Sequence, residues 1–343
     1  MSILLSRDNF RSGVFARDGH ACVMCGDKEN PVFAHHIMER RLFCDGGYYL
    51  DNGATVCEPC HILCEQTNIS TEQVREAAGI GKIILPDHLY DDQKYDKWGN
   101  ICQDNGTRLR GELFFDESVQ KVLKAGQALD LFLPYTKYGR TPHHPLSPGM
   151  HDDDRRIKSL KHFIGKDTVF MEKMDGENMT VYQNNTHARS VNSGTHPSRN
   201  RAKAEVALWQ HDLPDFWRVC GENMGAKHSI FYDDLPAYFL GFSIWNEVNF
   251  CLDWDTTLEW FALLGIPTPK VLWRGIYDED IVKQLGRRDW EKHEGFVMRT
   301  AEGFSLAEFG DKMAKYVRKG HVQTTKHWMH GQEMVPNLLA GGK

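Results

Sequence analysis

The sequence predicts an α+β protein in two parts, and three observations carry that prediction. The chain has 343 residues, more than one hydrophobic core comfortably uses. Six of its nine cysteines fall between Cys22 and Cys64, which marks a compact first module. From Lys158 onward, strand-like and helix-like segments alternate. The expected division is a module over 1–70, a connector over 71–130 and a second domain over 131–343. The connector is expected because Asp and Gly crowd "LPDHLYDDQKYDKWGNICQDNGTRLRG", which reads as turns and short strands.

Composition narrows the function classes. Hydrophobic residues make up 41% and charged residues 26%, as in an ordinary soluble globular protein. The net charge of −6 means that a nucleic-acid partner must be held by local basic patches. No apolar run approaches the ~20 residues of a membrane span. The N-terminal "MSILLSRDNFRSG" is too short and wrongly charged for a signal peptide. A cytoplasmic location is therefore expected, where cysteines serve as reduced thiols or metal ligands.

In the first module "CVMC" supplies Cys22 and Cys25, and "CEPCH" supplies Cys57, Cys60 and His61. Two Cys-x-x-Cys knuckles at this separation suit a structural zinc held by four thiolates. Chance pairing of buried cysteines is the plainer alternative. A haem attached through Cys-x-x-Cys-His needs an exported chain and leaves the first knuckle unexplained.

Between the knuckles stand "AHHIMER" and "LDNGATVC". The order Cys-x-x-Cys, His-His, Asn, Cys-x-x-Cys-His resembles the HNH endonuclease motif, a ββα-metal fold stapled by zinc. That resemblance implies His36 as the general base and Asn52 as the residue orienting it. It makes His35 and His61 ligands of a catalytic divalent metal. The chemistry is coherent, since a near-neutral histidine can deprotonate water and a hard cation stabilises a scissile phosphate. A zinc-ribbon that docks nucleic acid and cuts nothing is the alternative. Cys44 and Cys64 receive no role.

The second domain opens on "VFMEKMDGENMTVY", residues 169–182. An apolar run delivers Lys173, Asp175-Gly176 forces a turn, and alternation resumes. Alone this reads equally as a hairpin with an exposed corner lysine. The context is an ordered series: "HARS" with Arg189, "VCGENMGAKHSIFY" with Glu222, "YFLGFSIWNE" with Phe242, "HEGFVMR" with Glu294, and "AKYVRKGHV" with Lys315, Arg318 and Lys319. This series resembles the covalent nucleotidyltransferases, the ATP-dependent ligases and capping enzymes. "EKMDGEN", "HARS" and "GENMGAKHSIFY" look most like the bacterial and phage RNA ligase branch, and "KYGRTPHHPLSPG" resembles a segment that precedes the lysine motif there. The likeness covers about residues 130–335.

The resemblance implies Lys173 as the nucleophile that carries AMP, with Lys315, Lys319 and Arg318 as cations facing the α-phosphate. Val317 stands where the family's second lysine would be, so Arg318 or Lys319 must compensate. Glu172, Asp175, Gly176, Arg189, Glu222, Phe242, Glu294 and Lys315 are implied nucleotide contacts. Phe242 would stack on adenine, and Glu294 would also bind Mg²⁺ or Mn²⁺. These residue types suit the task. A lysine amine is protonated at its reference pKa of ~10.4 and attacks phosphorus only once neighbouring cations and burial depress it. Each has a plainer reading: core for Phe242, solvated strand ends for Glu222 and Glu294, a surface ion pair for Arg189. Trp209, Trp217, Trp245, Trp254 and Trp260 read as core. The basic stretches 196–203 and 315–328 read as phosphate-backbone contacts.

The architecture so implied is a ββα-metal zinc module followed by an antiparallel-sheet nucleotidyltransferase domain of ATP-grasp-like ligase type. Only about 25 residues follow the last motif, too few for the OB domain of DNA ligases and capping enzymes. The expected function is an ATP-dependent RNA ligase that joins 5′-phosphate and 3′-hydroxyl ends, with ATP, Mg²⁺ or Mn²⁺, and structural zinc. The rival is a nuclease or nucleic-acid-binding protein whose ligase-like domain senses nucleotide or strand ends.

Overall fold

The structure, a computed structural model, describes residues 3–150, 154–193, 195–288, 293–320 and 334–341. The chain forms two compact units, Met1–Pro134 and Tyr135–Lys343. No helix among the described residues is long and apolar enough to cross a membrane.

In the first unit helix α1 (Arg7–Arg17) starts on a Ser6 cap and buries Phe10 and Val14. Strands β1 (Val32–His36) and β2 (Gly53–Cys57) pair antiparallel, with Val32 opposite Cys57 and His36 opposite Gly53. Helix α2 (Glu58–Glu65) follows β2 directly, with Pro59 in its first turn. The order strand, strand, helix is thus present. The stretch 71–130 contributes α3 (Thr71–Ala77), closed by a Ser70–Gln73 capping box, and the small sheet β3 (Lys94–Tyr95), β4 (Ile101–Cys102) and β5 (Arg108–Leu109). Helix α4 (Glu117–Ala125), capped by Asp116, buries Val119 and Leu123 against Trp98 and Phe114. This stretch therefore has structure and a core of its own within the first unit.

The second unit is built on two antiparallel sheets. Strands β6 (Asp167–Lys173), β12 (Val271–Ile276), β13 (Gly295–Thr300) and β15 (Met313–Val317) form one, in the order β12-β6-β13-β15. The other runs β14-β11-β10-β9-β7-β8, from β7 (Glu177–Tyr182), β8 (Thr186–Ala188), β9 (Arg218–Asn223), β10 (Phe239–Trp245), β11 (Phe250–Cys251) and β14 (Phe304–Ser305). Helices α5 (Asn200–Val206) and α6 (Trp254–Leu264) pack Ala202, Val206 and Phe261 on the outer face of the six-stranded sheet. Helix α7 (Glu279–Gly286) packs Val282 and Leu285 on the four-stranded one. The short α8 (Phe309–Lys312) leads into β15.

β6 is covered on both faces. Phe170 faces the α7 side, while Val169 and Met171 face Trp254 and Ala301. This is why its sequence is a continuous apolar run rather than an alternation. Trp209, Trp245 and Trp254 are buried, and Trp217 and Trp260, with ring centroids 5.3 Å apart and tilted to one another, pack against the outer cluster.

Candidate functional site

The turn behind Lys173 is not a hairpin. β6 pairs with β12 and β13, whereas β7 pairs with β8 and β9, so the chain crosses from one sheet to the other at Asp175-Gly176. Lys173 is the last residue of β6 and faces a cavity of about 490 Å³. Gly176 is required at the crossing, because a Cβ there would lie 2.6 Å from Asn223 O and 2.7 Å from Met224 Sδ.

Lys173 Nζ is ion-paired with Glu294 Oε2, although 121 residues separate them. Pairing of β13 with β6 brings Gly295 opposite Lys173 and so sets Glu294 beside it. Gly295 has φ +148°, and a Cβ there would lie 2.0 Å from Tyr316 O. Burial pushes the Lys173 pKa down, but the carboxylates of Glu294 and Glu222 outweigh it, so the amine sits above the usual lysine value. Glu222, on β9, is pushed up to about 8, chiefly by burial, with Lys173 opposing and Glu294 adding to the rise. The resting pocket therefore holds an ammonium paired to Glu294, beside a Glu222 carboxyl that keeps its proton at neutral pH.

Phe242 lines the cavity because of a register irregularity. Gly241 pairs with Gly221 and Ser243 with Cys220, leaving Phe242 as the extra residue of a β-bulge. Phe239 and Ile244 share the outer cluster although they are five apart, which strict alternation forbids and one inserted residue allows. The bulge aims Phe242 inward, where its ring lies 5.3 Å from that of Tyr138.

The cavity also contains residues that the sequence reading did not single out. Tyr138, Gly139, Arg140 and Thr141 line it, as do Asp154, Arg155 and Asn178. Lys315 Nζ is 3.0 Å from Asp154 Oδ1. The sequence signal was available in part, since "KYGRTPHHPLSPG" stood out as a segment but no residue in it was assigned.

The other assigned residues divide between the cavity and its surroundings. Asp175 is buried and accepts hydrogen bonds from Ser229 N, Ser229 Oγ and Ile230 N at 2.6–2.8 Å, so it anchors the neighbouring loop. Glu172 lines the cavity and pairs with His293. Arg189 and Lys315 line it too, whereas Lys319 is exposed and neither it nor Arg318 is among the lining residues. Within the basic stretch 196–203, Arg199 is buried and bound to Glu177, with Nε–Oε2 at 2.7 Å, and so does not face solvent. The stretch 315–328 lies outside the described residues from 321 on.

In the first unit the thiols of Cys22, Cys25, Cys57 and Cys60 lie within 4.8 Å of one another, with Cys25 and Cys57 at 3.6 Å. A tetrahedral zinc with Zn–S near 2.3 Å has edges of about 3.8 Å, so the four fit such an ion. Cys64 is in the core of the module and Cys44 is exposed. Beside the thiols, His35, His61 and Glu65 form a second cluster. Glu65 Oε1 is 3.5 Å from His35 Nδ1, 3.4 Å from His61 Nε2 and 3.1 Å from Lys97 Nζ. Glu65 and Lys97 were not foreseen. Burial and then Lys97 push His35 down to about 3 and His36 down to about 4, so both rings are neutral at pH 7. His36 stacks on Phe10 at 4.6 Å, and its Nε2 has no hydrogen-bond partner among the described residues.

Asn52 was expected to orient His36, and the structure gives it a different arrangement. Its side chain accepts from Met38 N at 2.9 Å and donates to Met38 O and Gly47 O, both at 3.1 Å. It ties down the loop after His36 rather than touching the ring.

Comparison with known proteins bears on the second unit. Residues 166–317 match the RNA ligase family model. The match spans Lys173 to Lys315, and the rest of the chain lies outside it. No curated protein matches the chain. Among solved structures, it is similar to a putative ATP-dependent DNA ligase from Aquifex aeolicus (18% identity over 54% of this chain and 50% of that one, TM-score 0.39). It is similar to an archaeal ATP-dependent RNA ligase (16%, 76% and 64%, TM-score 0.40) and to the Naegleria gruberi RNA ligase with PPi (14%, 80% and 72%, TM-score 0.41). The chain spans half the length of the first and 64% of the second.

Within the segment that matches the RNA ligase family model the fold thus gathers Glu172, Lys173, Gly176, Arg189, Glu222, Phe242 and Lys315 around one cavity, with Glu294 on Lys173.

Proposed function

We propose that the chain is an ATP-dependent RNA ligase that joins 5′-phosphate and 3′-hydroxyl ends through a lysyl-AMP on Lys173. The observation that carries this reading is Lys173 itself. It ends a buried strand at the junction of two sheets, among carboxyl groups, inside the segment that matches the RNA ligase family. Packing alone calls for no lysine there.

In the first step Lys173 Nζ attacks the α-phosphorus of ATP. The N–P bond forms, the bond from that phosphorus to the bridging oxygen breaks, and pyrophosphate leaves with the electron pair. The amine must first lose its proton, which Glu294 and Glu222 hold on in the resting pocket. These two carboxylates are the groups that would hold Mg²⁺ or Mn²⁺, whose positive charge offsets theirs and lowers the amine's pKa. Phe242 offers a face for adenine, Lys315 a cation for the α-phosphate, and Arg189 a contact to ribose or the terminal nucleotide. AMP then passes to the RNA 5′-phosphate, and the 3′-hydroxyl displaces it.

Labelled ATP with Mn²⁺ tests this reading. The wild type acquires an acid-labile AMP adduct and Lys173→Ala does not, while both melt alike. A wild type that takes no label, or a variant that still does, overturns it and favours nucleotide sensing.

The first unit fits an HNH-type nuclease better than a bare docking module, because His35, His61 and Glu65 converge beside the four cysteines. His36 would be its base. Strand cleavage supported by Mn²⁺ and lost in His36→Ala, with lysyl-AMP formation intact, is the expected result. A wild type that cuts no RNA or DNA with any divalent ion leaves docking.

A further inference from the structure

We propose that residues 335–340, which lie beyond the segment matched by the RNA ligase family model, form a strap that positions Lys173, with Asn337 as its positioning residue. This inference rests on the ligase reading above and adds a part of the chain that the reading does not use.

The strap serves a stretch of backbone that cannot hold itself. β9 ends at Asn223 and β10 begins at Phe239, and residues 224–238 between them form neither helix nor strand. Such a stretch has no ladder of its own, so its buried N–H and C=O groups need partners from elsewhere. Residues 335–340 supply them. Lys227 N donates to Val335 O at 2.8 Å and Leu235 N to Leu338 O at 3.1 Å. In return Leu338 N donates to Tyr232 O and Ala340 N to Leu235 O, both at 2.9 Å. A parallel bridge joins Leu235 to Leu339.

Asn337 is 0% exposed and serves two more backbone groups with one amide. Its Oδ1 accepts from Tyr232 N at 3.0 Å, and its Nδ2 donates to Met224 O at 2.9 Å. An apolar side chain of similar size would leave both groups buried and unpaired by this residue.

The loop held in this way holds the turn behind Lys173. Tyr232 is the common element: its N donates to Asn337, and its hydroxyl oxygen accepts from Asp175 N at 3.1 Å. The Asp175 side chain grips the same loop at Ser229 and Ile230. Met174, the residue after Lys173, is buried in a cluster with Met224, Ile230 and Tyr232, and Leu339 of the strap packs on that cluster. Lys173 is therefore fixed by its sheet on one side and by the strapped loop on the other. An attacking atom must stand about 3–3.5 Å from its target, and a shift of about 1 Å arising far from the chemistry can cost roughly a hundredfold. Asn337 acts through Tyr232 and the turn, so its role is positioning.

The test uses the full chain with Asn337→Ala, at a temperature where it is folded. Formation of the AMP adduct from ATP falls by roughly ten- to a hundredfold in kcat with KM for ATP little changed, because the amine is misplaced and the nucleotide cavity is not. Sealing of RNA that already carries a 5′-adenylyl group does not use the amine and falls far less, which also shows that the variant is folded. Asn337→Asp keeps the acceptor for Tyr232 N, loses the donor to Met224 O and retains more adduct formation than Asn337→Ala. Hydrogen exchange over residues 174–176 speeds up in Asn337→Ala, while exchange over α7 does not change. Adduct formation at the wild-type rate in Asn337→Ala overturns the inference. So does equal loss of adduct formation and sealing, which would make Asn337 a support of the fold at large. A wild type that takes no label overturns the ligase reading; unchanged exchange over residues 174–176 overturns the strap by itself, whether or not label is taken.

Discussion

Replacing Glu294 by Gln separates two consequences of one carboxylate. The side chains of Lys173 and Glu294 are 23% and 10% exposed and form an ion pair. Unit charges about 4 Å apart in an effective dielectric of about 20 interact by about 4 kcal/mol, equivalent to about 3 pH units. Two features reduce this. Lys173 keeps some contact with water, which screens the pair. Glu222, held near 8 in the wild type partly by Glu294, ionises more fully once Glu294 is neutral and takes over part of the attraction. The Lys173 pKa should therefore fall in Glu294→Gln, by less than the bare pair energy implies. Acylation of Lys173 by an amine-reactive ester, followed against pH by mass spectrometry without divalent metal, reads this directly. The variant's lysine should react faster near pH 8. Adenylylation with ATP and Mn²⁺ should nevertheless drop by about two orders of magnitude, because the carboxylate that would hold the metal is gone. A labelling midpoint that stays or rises would refute the electrostatic account of Lys173, and normal adenylylation would refute the metal role of Glu294.

Three further outcomes follow from the same geometry. Glu222 keeps its proton to about pH 8 when folded, against 4.5 as the ordinary value, so the folded state binds more protons between these limits and stability falls as pH rises. Glu222→Gln should thus gain thermal stability relative to wild type between about pH 5 and pH 8, and a constant Tm difference across that range would contradict the buried, shifted carboxyl. Elemental analysis should find one zinc per chain, lost with Cys57→Ala and Cys60→Ala together; zinc retained in full by that variant would place the ion elsewhere. Gly295→Ala, with its Cβ forced towards Tyr316 O, should cost about 2 kcal/mol or more in a denaturant titration and weaken adenylylation by displacing Glu294.

Much of this site is local in sequence. Lys173 at the end of an apolar run, the Asp175-Gly176 turn, and the order of Arg189, Glu222, Phe242, Glu294 and Lys315 are readable because each depends on a few neighbouring residues. The cysteine knuckles and the strand-strand-helix order around His35, His36 and His61 are readable for the same reason. What each side chain touches is a different matter. Glu294 meets Lys173 through the pairing of β13 with β6, and Asp154 meets Lys315 across 161 residues, because the segment after Tyr138 covers an exposed strand edge. Asp175 faces Ser229 and Ile230, and Asn52 faces Met38 and Gly47, since a buried polar side chain goes to whichever backbone groups the fold leaves unpaired nearby. Residue type and spacing determined which chemistry the chain carries. Strand pairing between distant segments decided which charges share a cavity, and through them the protonation state of Lys173, because a Coulomb interaction depends on separation in space and on exclusion of water, neither of which a linear spacing contains.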